Sequence, residues 1–127
     1  MYCKLCVSLR KKGMDEYLFK VKLSKESYDF LAGLHPKIRK KILYNIDRVS
    51  RGEKNKVLFS KLEGTDIWEF RTLYDKMIYR LFAFWDVEEQ TVVVTTHGLI
   101  KKTQKTPPKE ILKAEHIKKR YFELKKK

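Results

Sequence analysis

Cysteine is scarce in this chain, with only Cys3 and Cys6, and they form a lone C-x-x-C. A structural zinc site needs four ligands. No second cysteine pair or closely spaced histidine pair follows, and His35, His97 and His116 are scattered. The thiols therefore read as reduced cysteines, and no metal is expected. Long apolar runs are also missing. Nothing approaches the roughly 20 residues of a membrane span, and the first residues lack the apolar stretch of a signal peptide. A cytoplasmic protein without membrane contact is expected. No glycine-rich loop ends in Lys-Ser or Lys-Thr, which argues against a nucleoside triphosphate site. Asp86, Glu88 and Glu89 sit near a turn, and no second carboxylate cluster offers a metal cage. No cofactor is expected.

Acidic residues are few: 16 against 30 lysines and arginines, a net charge of +14. Such an excess suits a polyanionic partner, because each phosphate contact releases condensed counterions. The charge is unevenly spread. Residues 101–127 hold 11 basic and 3 acidic residues, and residues 35–56 hold 8 and 2, giving +8 and +6. Residues 57–100 hold 4 basic and 7 acidic residues, giving −3, and include just two arginines, Arg71 and Arg80.

Residues 1–15 read as a poorly patterned basic leader, within which Met14 is an alternative initiator, and residues 16–127 read as one domain. Tyr17 to Leu23 alternates as a strand does. Ser24 suits a helix N-cap, with Glu26 in the first turn and Gly33 closing the helix. Pro36 opens a second helix, along which Ile38, Ile42, Ile46 and Val49 recur at helical spacing until Gly52 ends it. Residues 53–66 read as a loop with a short extended piece at Val57 to Phe59. Three strands follow, Ile67 to Tyr74, Met77 to Trp85 and Val92 to His97. A last helix begins at Pro107 or Pro108, with Ile111, Ala114, Ile117, Tyr121 and Leu124 on its apolar face. The order β-α-α-β-β-β-α predicts an α+β fold around a small twisted antiparallel sheet.

Asp75-Lys76 fits a two-residue turn that sets Arg71 directly opposite Arg80, with Trp68, Phe70, Tyr79 and Leu81 on the other face. Opposed like charges are destabilising, and an anion between them would relieve the repulsion. One reading supplies a substrate phosphate; the alternative supplies internal partners, Glu69 and Asp86. His97 shares strand parity with Val93 and Thr95, and Lys101, Lys102 and Lys105 follow it closely. A histidine can move protons near neutral pH. Lysines can hold phosphates and stabilise developing charge. Gln104 could donate to a phosphate or read a base. Cleavage by such a set would proceed without metal. The RNA 2′-hydroxyl then becomes the natural nucleophile, so RNA is the expected substrate rather than DNA.

Three motifs carry a family resemblance: Trp68-Glu69-Phe70-Arg71, Tyr79-Arg80-Leu81-Phe82, and the run from His97-Gly98 through Lys101-Lys102-Thr103-Gln104-Lys105-Thr106-Pro107-Pro108 to Glu110-Ile111. Over residues 17 to 122 the chain resembles the RelE/ParE superfamily of toxin–antitoxin toxins. It is most similar to the phage-derived, HigB-like (Gp49-like) branch. The resemblance implies a twisted sheet with an N-terminal helical hairpin on one side, and ribosome-dependent, metal-free cleavage of mRNA. It also implies a neutralising antitoxin, often a helix-turn-helix protein. Arg71 and Arg80 match the motif arginines and would hold the scissile phosphate. His97 would be the acid/base candidate, with Lys101, Lys102, Gln104 and Lys105 on flanking RNA. The basic helices would dock on ribosomal RNA. Two alternatives stand beside this reading: a gyrase inhibitor on the same fold, and a non-catalytic RNA-binding protein.

Overall fold

The computed structural model describes residues 17–89, 91–103 and 105–126. The leader expectation, with Cys3, Cys6 and Met14, lies outside them. So does Gln104.

Strand β1 spans Lys20–Leu23, followed by helices α1 (Lys25–Ala32) and α2 (Pro36–Ser50). Strands β2 (Phe59–Lys61), β3 (Trp68–Tyr74), β4 (Met77–Trp85) and β5 (Val92–Lys101) come next, and helix α3 covers Pro108–Lys125. The five strands form one sheet in the order β1-β5-β4-β3-β2. β2, β3, β4 and β5 pair antiparallel, but β1 lies parallel to β5, with Val21 beside Val93 and Leu23 beside Thr95. The sheet is therefore mixed rather than antiparallel. Local hairpins betray antiparallel pairs, whereas the β1–β5 pair joins segments some seventy residues apart and leaves no local signal.

Ser24 caps α1 as expected, its side chain accepting from the Ser27 amide. Pro36 opens α2, and His35 adds a cap by accepting from the Lys37 amide. β1 starts three residues later than its alternation suggests. The Leu18 amide donates to the Ser50 carbonyl at 2.8 Å, so the chain there follows the end of α2 instead of the sheet. β2 lies two residues beyond its expected place. The Asn55 carboxamide and carbonyl accept from Val57, Leu58 and Phe59, which folds that stretch into a turn.

The sheet separates two apolar layers. On one face, Val21, Leu23, Phe70, Leu81, Ala83 and Val93 pack against Leu31 of α1 and Ile42, Ile46 and Val49 of α2. An aromatic run fixes the far edge there, with Phe59 stacked on Phe70 and Trp68 at centroid separations of 4.3 and 4.8 Å. On the other face, Phe82, Phe84, Val92 and Val94 meet Ala114 and Tyr121 of α3. The far end of α3 is tied down by Asp86, which is fully buried and accepts from Tyr121 Oη at 2.7 Å and Lys125 Nζ at 2.6 Å. Burial alone would raise the Asp86 pKa. Hydrogen bonds from Lys125, Tyr121 and the Glu88 and Glu89 amides overcome that and hold it at about 2.

The β3–β4 turn is the expected two-residue one. Asp75 and Lys76 have φ of 50° and 66°, the left-handed pair of a type I′ turn. Neither residue is glycine, and a lysine in that region is strained by about 1 kcal/mol. Lys76→Gly should therefore stabilise the domain by roughly 0.5–1 kcal/mol, read as a higher urea midpoint at unchanged slope. A lower midpoint would refute this account of the turn.

Candidate active site: a sealed cluster of charge

The turn fixes the hairpin register, and Arg71 pairs directly with Arg80 across β3 and β4. Both lie on the α3 face of the sheet, opposite the face of Phe70 and Leu81. The anion that reconciles them is internal. Glu69, two residues before Arg71 on the same face, places one oxygen 3.3 Å from Arg71 Nε and the other 3.1 Å from Arg80 Nε. Glu69 and Arg80 are buried, and Arg71 is half-buried. Burial pulls the Arg80 guanidinium below its ordinary pKa; the Glu69 charge opposes that pull and the Arg71 charge reinforces it. Of the two internal partners anticipated for the arginines, Glu69 serves and Asp86 does not, being occupied at the end of α3.

His97 departs from its expected parity. Leu81 pairs with Gly98 and Ala83 with Thr95, so Thr96 and His97 together face the single residue Phe82. This β-bulge turns His97 away from the face of Val93 and Thr95 and onto the arginine face. Alternation cannot foresee a bulge. β5 then continues to Lys101, four residues past its expected end. Gly98 permits this course because a Cβ there would lie 2.3 Å from the Phe30 ring of α1.

The bulge sets the imidazole 4.8 Å from the Phe82 ring and buries it. His97 Nδ1 lies 2.9 Å from Thr96 Oγ1, and Nε2 lies 2.9 Å from Glu110 Oε1. A carboxylate only accepts, so Nε2–H donates to Glu110, while Nδ1 shares a hydrogen bond with the Thr96 hydroxyl, which also lies 3.4 Å from the Phe82 carbonyl. The imidazole is buried rather than open to solvent. The ring clasps the first turn of α3. Burial lowers the His97 pKa, the Glu110 hydrogen bond opposes that, and the Lys113 charge adds to it.

The connection from β5 into α3 seals the cluster at three points. Arg80 Nη2 donates to the Thr103 carbonyl at 2.5 Å, Thr106 Oγ1 donates to Glu69 at 2.8 Å, and Glu110 accepts from His97. Lys101, Lys102 and Lys105 lie on this same connection with their side chains exposed. The structure thus brings Arg71, Arg80 and His97 onto one face beneath a cover whose outer surface is cationic. Thr103, Thr106 and Glu110 escaped the sequence reading because their partners depend on long-range pairing. Glu69 was legible, since it alternates in phase with Arg71.

Comparison with known proteins bears on the family and the fold. The family model described as phage derived protein Gp49-like (DUF891) matches residues 29–119. The solved structure of an arginine double mutant of the E. coli toxin RelE, in its free state, superposes with a TM-score of 0.54. It covers 77% of this chain and 93% of that one at 16% identity, a likeness of fold. No curated protein matches the chain.

Titration of the buried imidazole should be visible in stability. A histidine whose pKa is lowered by folding resists a proton that the unfolded chain accepts near the ordinary 6.5. Its contribution is fully present above that pH and is lost as pH falls below it. The urea midpoint should drop between pH 7.5 and 5.5, and His97→Gln should flatten that drop. An equal slope in both proteins would contradict the placement of His97.

Proposed function

Because the chain belongs to the Gp49-like family of phage-derived proteins, a RelE/ParE-type toxin family, we propose that it is the toxin of a type II toxin–antitoxin system. Its activity is ribosome-dependent cleavage of mRNA without metal, in the cytoplasm, and an antitoxin of helix-turn-helix type neutralises it. The observation that carries this reading is the sealed cluster. Two guanidinium groups already grip one anion, and the segment that covers them carries three exposed lysines.

In this reading the RNA phosphate takes the place of the Glu69 carboxylate between Arg71 and Arg80. For that, the Thr103 and Thr106 contacts must release. Lifting the same segment also frees the ring of His97 from Glu110, so one movement uncovers both the phosphate site and the proton-transfer site. The 2′-hydroxyl oxygen then attacks the adjacent phosphorus, its proton passes to a base, and the 5′-oxygen of the next nucleotide leaves with a proton from an acid. His97 is the candidate for one of these transfers. Arg71 and Arg80 stabilise the charge that builds on the phosphate oxygens. Lys101, Lys102 and Lys105, with Gln104, hold the flanking RNA, and the basic surfaces of α2 and α3 dock on ribosomal RNA.

The exposed lysines offer a clean test because their loss should not disturb packing. A Lys101→Ala, Lys102→Ala, Lys105→Ala triple variant should keep its thermal midpoint and lose growth arrest. Primer extension on mRNA should detect cleavage by the parent protein only when ribosomes are present, reduced at least 100-fold in the triple variant and in Arg71→Ala. Intact mRNA with induction of a DNA-damage response would favour the gyrase-inhibitor alternative instead.

A further inference from the structure

That reading leaves one cleft without a role, beside the part of α2 that it assigns to ribosomal RNA. Helix α2 carries Lys41, Tyr44 and Arg48 at spacings of three and four residues, hence on one side. Lys41 and Arg48 line a cleft of about 460 Å3 that runs between α2, the loop before β2 and the ends of β3 and β4, and the Tyr44 ring lies against Arg48. Leu58, Leu73, Ile78 and Val57 give it apolar walls, and Arg71 closes one end. Val57 and Leu73 are 71% and 62% exposed, and Tyr44, next to Arg48, is 62% exposed. The apolar surface here faces solvent rather than another part of the fold.

The cations are held in place. Lys41 Nζ donates to the Leu73 carbonyl at 2.9 Å and lies 5.6 Å from the Tyr74 ring. Arg48 stands 5.6 Å from the Tyr44 ring, donates through Nε to Glu53 at 2.9 Å, and reaches the Asn45 carboxamide. Asn45 in turn donates to Thr72 on β3 at 3.1 Å, which fixes α2 against the sheet. Arg71 belongs both to this cleft and to the Glu69 cluster.

We infer that the cleft is a nucleotide subsite: it receives an unstacked base of single-stranded RNA next to the phosphate bound at Arg71 and Arg80. The base lies against Tyr44, Val57 and Leu73, and Lys41 and Arg48 take the phosphates beside it. Three features favour RNA over a protein partner. An exposed apolar wall, with an exposed tyrosine stacked on the Arg48 that lines the same cleft, suits the face of any base. Cations about two helical turns apart, on a segment of net charge +6, follow a polyanionic backbone. The shared Arg71 makes the cleft continuous with the proposed reaction centre, as a substrate strand requires. This inference rests on the toxin reading for the phosphate at Arg71.

The test uses a fluorescein-labelled eight-nucleotide single-stranded RNA and its abasic counterpart, titrated at low salt. The full chain should bind the abasic strand more weakly. Tyr44→Ala and Leu73→Ser should each weaken binding of the normal strand roughly 5- to 100-fold, with little effect on the abasic strand. Lys41→Ala should reduce the salt slope by about 0.7. These side chains are exposed, so folding should survive, and thermal midpoints check that; Val57→Ser provides an independent variant. Equal binding of both strands, or parental RNA affinity in every variant, would overturn the inference. A protein-binding cleft would give the latter result. The two proposals can fail separately. Parental ribosome-dependent cleavage with unchanged RNA affinity in the variants removes the subsite and leaves the toxin. Lost RNA affinity in the variants of a protein that cleaves no mRNA leaves the subsite and removes the toxin.

Discussion

The Glu69 carboxylate between Arg71 and Arg80 is the constraint around which the rest of this molecule is arranged. Two guanidinium groups facing each other across a hairpin repel, and burying either one unpaired would cost several kcal/mol. The type I′ turn at Asp75-Lys76 forces them into register, so the fold has to bring an anion. Glu69 is the nearest carboxylate on the same face of the same strand. Once it is buried, its remaining lone pairs need a donor, and Thr106 supplies one. Arg80 needs an acceptor for its far nitrogen, and the Thr103 carbonyl supplies it. A buried ion pair therefore dictates the path of the segment between β5 and α3.

That segment leads into a helix that is held by polar ties as well as by its apolar contacts. α3 is 18 residues long, yet only Ala114 and Tyr121 are buried on it. Its ends are tied to the sheet by Glu110 on His97 and by Tyr121 and Lys125 on Asp86. Polar ties of this kind exchange with water or with another anion at modest net cost, whereas an apolar seam must be pulled open as a whole. The opposite layer is built differently: α1 and α2 bury Leu31, Ile42, Ile46 and Val49 against the sheet. The α3 face thus combines an apolar cluster of Phe82, Phe84, Val94, Ala114 and Tyr121 with a charged cluster closed by polar bonds.

Most of the architecture could be read from the chain. Helix ends followed from Ser24, Gly33 and Pro36, and the hairpin register followed from turn length alone. The parts that could not be read share one cause. The parallel β1–β5 pair, the bulge at Thr96-His97 and the contacts of Thr103, Thr106 and Glu110 are set by residues distant in sequence. A bulge reverses strand parity without leaving a mark in composition, so His97 moved from one face to the other. It came to rest on the arginine face, which gathers the three residues singled out for chemistry while covering them.

Backbone hydrogen exchange across residues 101–110 tests the central claim most directly. If replaceable polar bonds close the cover, these amides should exchange through local opening, orders of magnitude faster than those of β4 and the first half of β5, and faster again when the protein is bound to translating ribosomes. Exchange limited by global unfolding, unchanged on ribosomes that are having their mRNA cut, would show that the cluster works without opening and would contradict the account.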